Sequence, residues 1–321
     1  MEQSSVNVLV TGGCGYVGTK LPQALLDRTP HRVDVLDTQW FGNYLQPNPR
    51  LTIHKMDVRQ IDEVDLRLYD TIFHLANIAN DPSVELNPYA SWEVNVLAGM
   101  RLVDRAARHG VTQFIYASSS SVYGVKEEPR VTEDLELLPI SEYNKTKMVA
   151  ERVLLSYRDV MTTTVIRPAT VCGLSPRMRL DVVVNLLTMQ ALEHGRMTVL
   201  GGAQVRPNIH IDDLVDLYLF ALETRLEGVY NAGFENISVL DIATLVAART
   251  PAEIAVLPSN DPRSYLVCSD KLLATGFAPK RNVATAVADM IEAYRAGRLT
   301  NEPSSHNVKW MKQHHFGVQT A

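Results

Sequence analysis

The 321-residue chain has few cysteines and no long hydrophobic run. Cys14, Cys172 and Cys268 are widely separated and form no Cys-x-x-Cys pair, which excludes a disulfide framework and is typical of a reducing compartment. No stretch approaches the roughly 18 apolar residues that span a bilayer, and the N-terminus has no signal-peptide pattern. These absences predict a cytoplasmic protein with no membrane partner.

An excess of positive charge is also absent. The 31 lysine and arginine residues are outnumbered by 36 aspartate and glutamate residues, so the formal net charge is −5. This balance argues against a protein that binds nucleic acid by neutralising its phosphates, and it leaves room for a local basic pocket. The polar tail at residues 301–321 contains His314 and His315, but we interpret it as an ordinary docked or frayed terminus and predict no metal site.

Short apolar runs alternate with amphipathic stretches in the first half of the chain. Buried strands are predicted at residues 6–10, 33–36, 72–75, 114–116 and 165–166, and helices at 92–109 and 143–157. This alternation predicts an α/β fold with a Rossmann-type doubly wound parallel sheet. After about Cys172 the loops lengthen and proline and arginine concentrate, which predicts a smaller C-terminal α/β substrate lobe. We assign residues 1–172 to the sheet domain and 173–321 mainly to the lobe, interleaved with the first.

A glycine-rich turn follows the first predicted strand. Residues 11–18 read Thr-Gly-Gly-Cys-Gly-Tyr-Val-Gly, and a helix is predicted after them. Such glycines allow a tight turn and the close approach of a pyrophosphate, to which the helix N-terminus offers its free N–H groups. Asp37 ends the second strand, where a carboxylate accepts hydrogen bonds from the adenosine ribose and repels a 2′-phosphate. The sheet domain is therefore predicted to bind NAD rather than NADP.

Tyr143 and Lys147 are four residues apart in a predicted helix and therefore share one face. A neighbouring ammonium group lowers the pKa of a phenol, so that the tyrosinate can take a proton from an alcohol at neutral pH. Upstream, a strand ends in the hydroxyl-rich sequence Tyr-Ala-Ser-Ser-Ser-Ser-Val-Tyr-Gly at residues 116–124. Since ligands bind at the carboxyl ends of parallel strands, one of these hydroxyls can hydrogen-bond the reacting oxygen.

These motifs occur in order with Asp57-Val58, His74-Leu-Ala-Asn77, Asn95 and Arg167-Pro-Ala-Thr170. The set resembles the extended short-chain dehydrogenases/reductases, specifically the NAD-dependent nucleotide-sugar epimerase/dehydratase branch, over essentially the whole chain. The resemblance implies that Ser119, Tyr143 and Lys147 are catalytic, with Tyr143 as the base. The implied cofactor contacts are Gly12, Gly15, Tyr16, Val17, Gly18, Asp37, Asp57, Val58, Leu75, Ala76, Asn95, Tyr143, Lys147 and Pro168.

By the same resemblance, the C-terminal lobe binds a nucleotide sugar. Arg206 matches a position where relatives hold the substrate pyrophosphate, Arg263 is a weaker match, and Arg177 and Arg179 add charge that suits phosphate. The implied substrate contacts are Asn80, Ser119, Ser120, Thr170, Arg179, Asn185, Arg206 and Arg263. The helices at 92–109 and 143–157 resemble the pair that forms a dimer interface in relatives, which predicts a homodimer.

The resemblance implies transient oxidation at sugar C4, after which the ketone is epimerised, dehydrated or released as the product of a 4-dehydrogenase. The usual 4,6-dehydratases carry Asp-Glu directly after the catalytic Ser/Thr, whereas this chain has Ser120 and Ser121. An unusual dehydratase would need other groups, for which Asn80, Asp81 and Cys172 are candidates. Residues 167–181 and 230–236 are similar to a natural-product subgroup, in particular the tunicamycin-pathway type that converts UDP-GlcNAc by 5,6-dehydration to an exo-glycal. Alternatives from other classes are a non-catalytic NAD-sensing regulator and a reductase for small ketones or steroids.

Overall fold

The computed structural model describes residues 5–259, 264 and 266–316. The strands are β1 (Asn7–Thr11), β2 (Arg32–Asp37), β3 (Leu51–Lys55), β4 (Thr71–His74), β5 (Gln113–Ala117), β6 (Thr162–Pro168), β7 (Thr170–Cys172), β8 (Arg196–Leu200), β9 (Val205–His210), β10 (Gly228–Ala232), β11 (Glu235–Ser238) and β12 (Glu253–Leu257). The α-helices are α1 (Lys20–Arg28), α2 (Asp81–Val84), α3 (Pro88–Trp92), α4 (Ala98–Arg108), α5 (Glu142–Leu155), α6 (Val183–His194), α7 (Ile211–Thr224), α8 (Val239–Ala247), α9 (Asp270–Leu273), α10 (Val283–Arg295) and α11 (Asn307–Gln313). A π-helical segment, Glu93–Leu97, joins α3 to α4, and short 3₁₀ helices span Val58–Glu63, Leu66–Leu68, Ser120–Tyr123 and Pro303–Ser305.

Within the described residues, the central sheet has seven parallel strands in the order β10-β6-β5-β4-β1-β2-β3. The strand order reverses between β1 and β4, which opens a crevice at the carboxyl ends of these strands. All four residues of β4 are buried, as expected for a strand that is covered by helices on both faces. The prediction of a Rossmann-type doubly wound sheet with a smaller C-terminal α/β lobe is confirmed.

Helices cover both faces of this sheet. On one face, Leu25 of α1 and Leu217 of α7 belong to the same buried apolar cluster as Val8 of β1. On the other face, Leu102 of α4 and Leu154 of α5 pack in a second cluster. Burial of these apolar side chains on both sides stabilises the sheet and holds its strand ends at fixed positions.

The lobe begins with β7, which follows β6 after a single intervening residue. Strands β11, β9 and β7 form one small sheet, and β12 and β8 form another. Leu187 of α6, Ile242 of α8 and Val287 of α10 pack together in a separate apolar cluster. The chain also returns to the central sheet with β10, so segments after residue 172 belong to both sheets. The division at residue 172 stays a prediction.

The sequence patterns do not predict two strands of the central sheet, β3 and β10. The edge strand β3 is partly exposed along its length, and its Thr-Ile-His-Lys sequence is too polar to indicate a buried strand. The predicted helices are present, although the first begins earlier, at Pro88, and contains the π-helical segment. Within the described ranges, no helix has the length and apolar character needed to cross a membrane.

Candidate active site

One cavity of about 910 Å³ lies at the carboxyl ends of the central strands and extends to the lobe. Loops after β1, β2, β4, β5 and β6 form one side of it, and residues of the 173–183 segment and β9 form the other. Most of the residues predicted from the sequence line this cavity: Gly12, Gly15, Tyr16, Val17, Gly18, Asp37, Asp57, Val58, Leu75, Ala76, Asn80, Ser119, Ser120, Tyr143, Lys147, Pro168, Thr170, Arg179 and Arg206. The fold thus brings together motifs from both halves of the chain.

The glycine-rich turn forms a wall of bare backbone. Gly12 has a φ of +77°, and a Cβ there would lie 2.5 Å from the backbone nitrogen of Ala76. A Cβ on Gly18 would collide with the Gly12 carbonyl oxygen. The backbone N–H of Thr19 donates to the carbonyl of Gly15 at 2.9 Å, so helical hydrogen bonding starts at the edge of the turn. Close-packed backbone followed by a helix N-terminus fits the pyrophosphate of NAD.

Asp37 is fixed at the end of β2 by two backbone groups. Its Oδ2 accepts from the N–H of Cys14 at 2.9 Å and its Oδ1 from the N–H of Gln39 at 2.6 Å. Burial raises the pKa of Asp37, and the two backbone hydrogen bonds act in the opposite direction. Asp57 differs, because Arg59 binds its carboxylate by a salt bridge of 2.9 Å. Asp37 is therefore the carboxylate that fits the adenosine ribose hydroxyls.

Lys147 points from α5 towards the end of β5. Its Nζ donates to the Ala117 carbonyl at 2.7 Å and lies 4.9 Å from the ring centroid of Tyr116 and 5.9 Å from that of Tyr143. Burial lowers the pKa of Lys147 to about 7, while the charge of Glu151, one turn further along α5, opposes the shift. With a pKa of about 7 the amine is only partly protonated at neutral pH, and the groups that lower the pKa of Tyr143 are Arg179 and Ser119. The expectation that Lys147 alone lowers the pKa of this phenol is therefore not what the structure shows.

Tyr143 stands between charges of opposite sign. Burial raises the pKa of Tyr143 to about 12, because the phenolate would be poorly solvated. The positive charge of Arg179 and a hydrogen bond with Ser119 lower the pKa of this phenol, and the charge of Asp81 raises it. Arg179 and Ser119 favour the phenolate form that a base requires, and burial and Asp81 oppose it.

The serine loop after β5 is supported from behind by a buried ion pair. Ser119 Oγ lies 2.8 Å from Ser121 Oγ and caps the short helix that follows. Arg167 and Glu151 are almost fully buried, with a distance of 2.7 Å between Arg167 Nη2 and Glu151 Oε2. Ser118 Oγ donates to the same carboxylate. These contacts tie the serine loop to α5 and β6, and so hold Ser119 beside the helix that carries Tyr143 and Lys147.

Charged residues also meet on the lobe side of Tyr143. Arg179 Nε lies 2.9 Å from Asp181 Oδ1, and the Asn80 amide nitrogen lies 3.5 Å from Asp181 Oδ2. Asp81 accepts a hydrogen bond from Ser141 Oγ at 2.6 Å. Arg179, predicted as a substrate contact, is therefore already paired with a carboxylate beside Tyr143.

Two predicted contact residues, Asn95 and Asn185, are placed behind the cavity wall. Asn95 Oδ1 accepts from the N–H of Ile78 at 2.8 Å, and its amide nitrogen donates to the Ile78 carbonyl and to Thr146 Oγ1. The side chain is 1% exposed and fastens the loop after β4 to α5. Its polar atoms are used within the protein, so the structure gives Asn95 a positioning role.

Asn185 is likewise fully buried, with 0% exposure. Its Oδ1 accepts from the N–H of Gly173 at 3.0 Å, and its amide nitrogen donates to the Tyr16 hydroxyl and to the Arg179 carbonyl. Asn185 thus fixes the loop that carries Arg179 rather than facing the substrate space. Arg263 lies outside the described residues.

Several cavity residues were missing from the sequence prediction, among them Trp40, Phe41, Asp181, Asn307 and Met311. Arg177 and Asp81, named from the sequence as a phosphate-binding charge and an acid/base candidate, also line the cavity. The charged residues at 177 and 179 were a usable signal for Asp181, whereas a polar tail gives little reason to expect residues 307 and 311 at an active site. Cys172, weighed as an acid/base candidate, is fully buried, with its Sγ donating to the Ile209 carbonyl.

Comparison with known proteins assigns the chain to a family. The NAD dependent epimerase/dehydratase family model matches residues 8–233, and the chain belongs to that family. It is 32% identical over 262 residues to a Bacillus subtilis (strain 168) protein named uncharacterized UDP-glucose epimerase YtcB, with 75% of this chain and 81% of that relative covered.

Solved structures agree with the family assignment. The UDP-glucose 4-epimerase of Thermus thermophilus in complex with NAD has a TM-score of 0.79 at 26% identity, covering 90% of this chain and 99% of that one. TunA, described as an NAD-dependent NDP-hexosamine 5,6-dehydratase of tunicamycin biosynthesis, has a TM-score of 0.80 at 26% identity, covering 91% and 98%. The predictions of an extended short-chain dehydrogenase/reductase, of an enzyme and of NAD as cofactor are confirmed.

Proposed function

We propose that the enzyme oxidises a nucleotide-activated sugar transiently at C4. The observation that carries this proposal is the meeting of Ser119, Tyr143 and Lys147 in one cavity, with Asp37 on the cofactor side and Arg206 on the lobe side. The glycine turn and Asp37 would hold NAD⁺, which would supply a hydride acceptor for the oxidation and a hydride donor for the return step. Relatives named for nucleotide-sugar substrates support this substrate class.

The protein's own part in the oxidation is proton transfer and positioning. Tyr143 takes the proton of the C4 hydroxyl, and Ser119 hydrogen-bonds the same oxygen as it becomes a carbonyl. The charge of Arg179 lowers the pKa of Tyr143, and Lys147, whose Nζ lies 5.9 Å from the centroid of the Tyr143 ring, adds positive charge to the same site when it is protonated. Burial raises that pKa to about 12, so these charges have to offset burial for the phenol to act as the base.

At the substrate end, Arg206 of β9 is the proposed ligand of the nucleotide diphosphate. A guanidinium group suits phosphate because its planar donors form paired hydrogen bonds. Thr170 at the start of β7 and Asn80 before α2 line the space between Arg206 and Tyr143, and we propose that they contact the sugar. A UDP-hexosamine such as UDP-GlcNAc is our specific proposal for the substrate.

For the fate of the ketone, we propose 5,6-dehydration. A C4 ketone acidifies the C5 proton, and elimination then needs a base at C5 and an acid that releases the C6 hydroxyl as water. Ser120 and Ser121 do not supply a carboxylate, but Asp81 lines the same cavity, and its charge acts on Tyr143. Asp81 is therefore the proposed base of the elimination step.

Epimerisation at C4 is the second candidate. It needs no carboxylate after Ser119, which agrees with serines at positions 120 and 121. Two of the compared proteins are named as UDP-glucose epimerases. Release of the ketone together with the reduced cofactor would instead define a 4-dehydrogenase.

The test is incubation with a panel of UDP-, GDP-, CDP- and dTDP-sugars in D₂O, followed by mass spectrometry and NMR. The proposal predicts a product that is one water lighter than its substrate, allowing for incorporated deuterium. An isomer of unchanged composition would establish the epimerase, and an accumulating ketone the dehydrogenase. If no sugar reacts although NAD binds, the proposal fails, and the NAD-sensing regulator and the reductase for small ketones or steroids are the alternatives that remain.

We also propose that the enzyme is a cytoplasmic homodimer. Leu97 and Met100, on the helical stretch from the π-helical segment into α4, are 49% and 42% exposed and give that surface an apolar character suited to a partner copy. Sedimentation equilibrium should give twice the mass of the chain, and the paired substitution of Leu97 and Met100 by serine should shift the protein towards monomer. A wild-type protein that sediments as a monomer at micromolar concentration contradicts this proposal.

A further inference from the structure

Arg177 is a buried cation whose direct contacts are with the neutral side chains of Asn307 and Phe41. The carboxylates of Asp181 and Asp37 act on it at longer range. Its side chain lines the active-site cavity and the residue is 3% exposed. Its Nη2 donates to Asn307 Oδ1 at 2.5 Å, and the guanidinium carbon lies 4.0 Å above the ring centroid of Phe41. Its Nε is buried and has no hydrogen-bond partner among the described residues. A desolvated charge with an unused donor indicates a place for an anion.

The position of Arg177 assigns that anion to the cofactor side of the cavity. Phe41 belongs to the loop after β2, the same loop that begins at Asp37. The charge of Arg177 opposes the rise in the pKa of Asp37 that burial causes. The two side chains are therefore within electrostatic reach of each other. Burial together with the charge of Arg179 lowers the pKa of Arg177 to about 9, so the guanidinium stays protonated at neutral pH.

The C-terminal segment, residues 301–316, fastens this arrangement from outside. Trp310 Nε1 donates to the Trp40 carbonyl at 2.6 Å, and the ring of Phe316 stacks on Trp40 with centroids 5.3 Å apart. The N–H of Leu180 donates to the Ser305 carbonyl at 2.9 Å. The segment therefore bridges the loop after β2 and the loop that carries Arg177.

The same segment also reaches the cavity itself. Asn307 and Met311 line it, and Met311 is 2% exposed and packs in the apolar cluster of the central sheet. Asn307 is the residue that holds Arg177. The matched family region ends at residue 233, so this wall comes from a part of the chain beyond the family match.

We propose that Arg177, held by Phe41 and Asn307, binds the diphosphate of NAD, and that the C-terminal segment closes the cofactor into its site. Binding of the anion satisfies the unused Nε donor and balances the buried charge. The closed segment slows the escape of the cofactor, which suits a reaction in which the hydride leaves and returns within one turnover. The proposal rests on NAD as the cofactor and is independent of which sugar the enzyme converts.

A diphosphate ester also occurs in a nucleotide sugar, so the experiment measures both ligands on the same samples. NAD dissociation from the holoenzyme is followed by displacement with a fluorescent NAD analogue, and UDP binding is followed by calorimetry. The variants are Arg177→Gln, Arg177→Lys and Asn307→Ala, with Arg298→Gln as the control because Arg298 is exposed on the surface.

Arg177→Gln is expected to release NAD on the order of 10- to 100-fold faster, with UDP affinity changed less than about threefold. Arg177→Lys should fall between Gln and wild type because a lysine keeps the charge and loses the planar fork. Asn307→Ala should accelerate release by a smaller factor, and Arg298→Gln should match wild type.

Three results would overturn the proposal. Unchanged NAD release in Arg177→Gln would show that Arg177 does not bind the cofactor. A large loss of UDP affinity with NAD release unchanged would assign Arg177 to the substrate diphosphate. A further variant, Trp310→Ala, lacks the hydrogen bond to the Trp40 carbonyl and is checked for folding by circular dichroism. Equal NAD release in wild type and in folded Trp310→Ala would refute closure by the C-terminal segment. Failure of the sugar panel to react affects none of these readouts.

Discussion

The two sides of the active-site cavity are constructed differently. On the strand-end side, Asp37 is the last residue of β2 and Ser119 follows β5 after one residue. Backbone N–H groups fix Asp37, and Ser119 caps a short helix. On the loop side, formed by residues 173–183 and the C-terminal segment, side chains hold one another, as Asp181 holds Arg179 and Asn307 holds Arg177. The first side depends on the topology of the sheet and the second on contacts between distant residues. Substitutions on the strand-end side should therefore change the chemistry, the folding stability and the ribose contact. Substitutions on the loop side should change cofactor release and the pKa of Tyr143.

The largest effect is expected from Tyr143→Phe on the strand-end side. Loss of the phenol removes the proposed base, so turnover should fall about 10³-fold or more. NAD affinity should stay unchanged, since the glycine turn and Asp37 are untouched. Steady-state rates and NAD titration provide the measurements, and Tyr157→Phe is the control because that hydroxyl only bonds Asp104 outside the site. Retained turnover in Tyr143→Phe would mean that another group is the base.

The support behind the strand-end side is tested by Arg167→Met. This change leaves the Glu151 carboxylate buried without its partner, and the free energy of unfolding should fall by about 3–5 kcal/mol. Urea denaturation measures the change. Arg67→Met, which removes an exposed ion pair with Asp65, should leave the unfolding midpoint nearly unchanged. Equal stability of Arg167→Met and wild type would show that the ion pair is not needed to hold the serine loop.

Asp37→Ala tests the contact between the strand-end side and the cofactor. Loss of the ribose contact should weaken NAD binding on the order of 10- to 100-fold and leave UDP binding nearly unchanged. Calorimetry with each ligand measures the difference, with the exposed Asp65→Ala as the control. If both ligands weaken equally, Asp37 supports the whole cavity rather than the cofactor.

The smallest effect is expected on the loop side, from Arg179→Gln. Arg179 lowers the pKa of Tyr143, so its removal should raise that pKa and move the rising limb of the pH–rate profile upward by up to about one unit. Asp81 raises the same pKa, so Asp81→Asn should move the limb of the oxidation step downward. Single-turnover formation of the reduced cofactor across pH measures both shifts.

Arg196→Gln, an exposed site in the lobe, is the control and should leave the profile unchanged. Shifts of the same sign in Arg179→Gln and Asp81→Asn would contradict the electrostatic account of Tyr143. A normal profile in both variants would mean that Tyr143 does not govern the pH dependence.

The sequence predicts the strand-end side well because its signals are local. A glycine turn after a strand, an acidic residue at the next strand end and Tyr-x-x-x-Lys in a helix each have a fixed place in a doubly wound sheet. Asn95 and Asn185 show the limit of this reasoning. Their side chains bond backbone groups inside the protein, and a sequence pattern does not distinguish an amide that touches ligand from one that holds a loop.

On the loop side the sequence indicates Arg177 and Arg179 but not the residues that hold them, because these contacts join distant parts of the chain. Arg177 meets Asn307, which is 130 positions away, and Trp40 meets Trp310, which is 270 positions away. Nothing near either residue in the sequence indicates its partner. The edge strand β3 was missed for a different reason, since a half-exposed strand lacks the continuous apolar run of a buried one.

The most direct test of transient oxidation at C4 uses a nucleotide sugar identified by the panel and labelled with deuterium at that carbon. The account predicts slower single-turnover appearance of the reduced cofactor with the labelled sugar, and a product that retains the deuterium at C4. Turnover without any reduced cofactor, at the same rate for labelled and unlabelled sugar, would contradict oxidation at C4. Deuterium found at C6 would still show oxidation at C4. It would mean, however, that the enzyme catalyses 4,6-dehydration and not the proposed 5,6-dehydration.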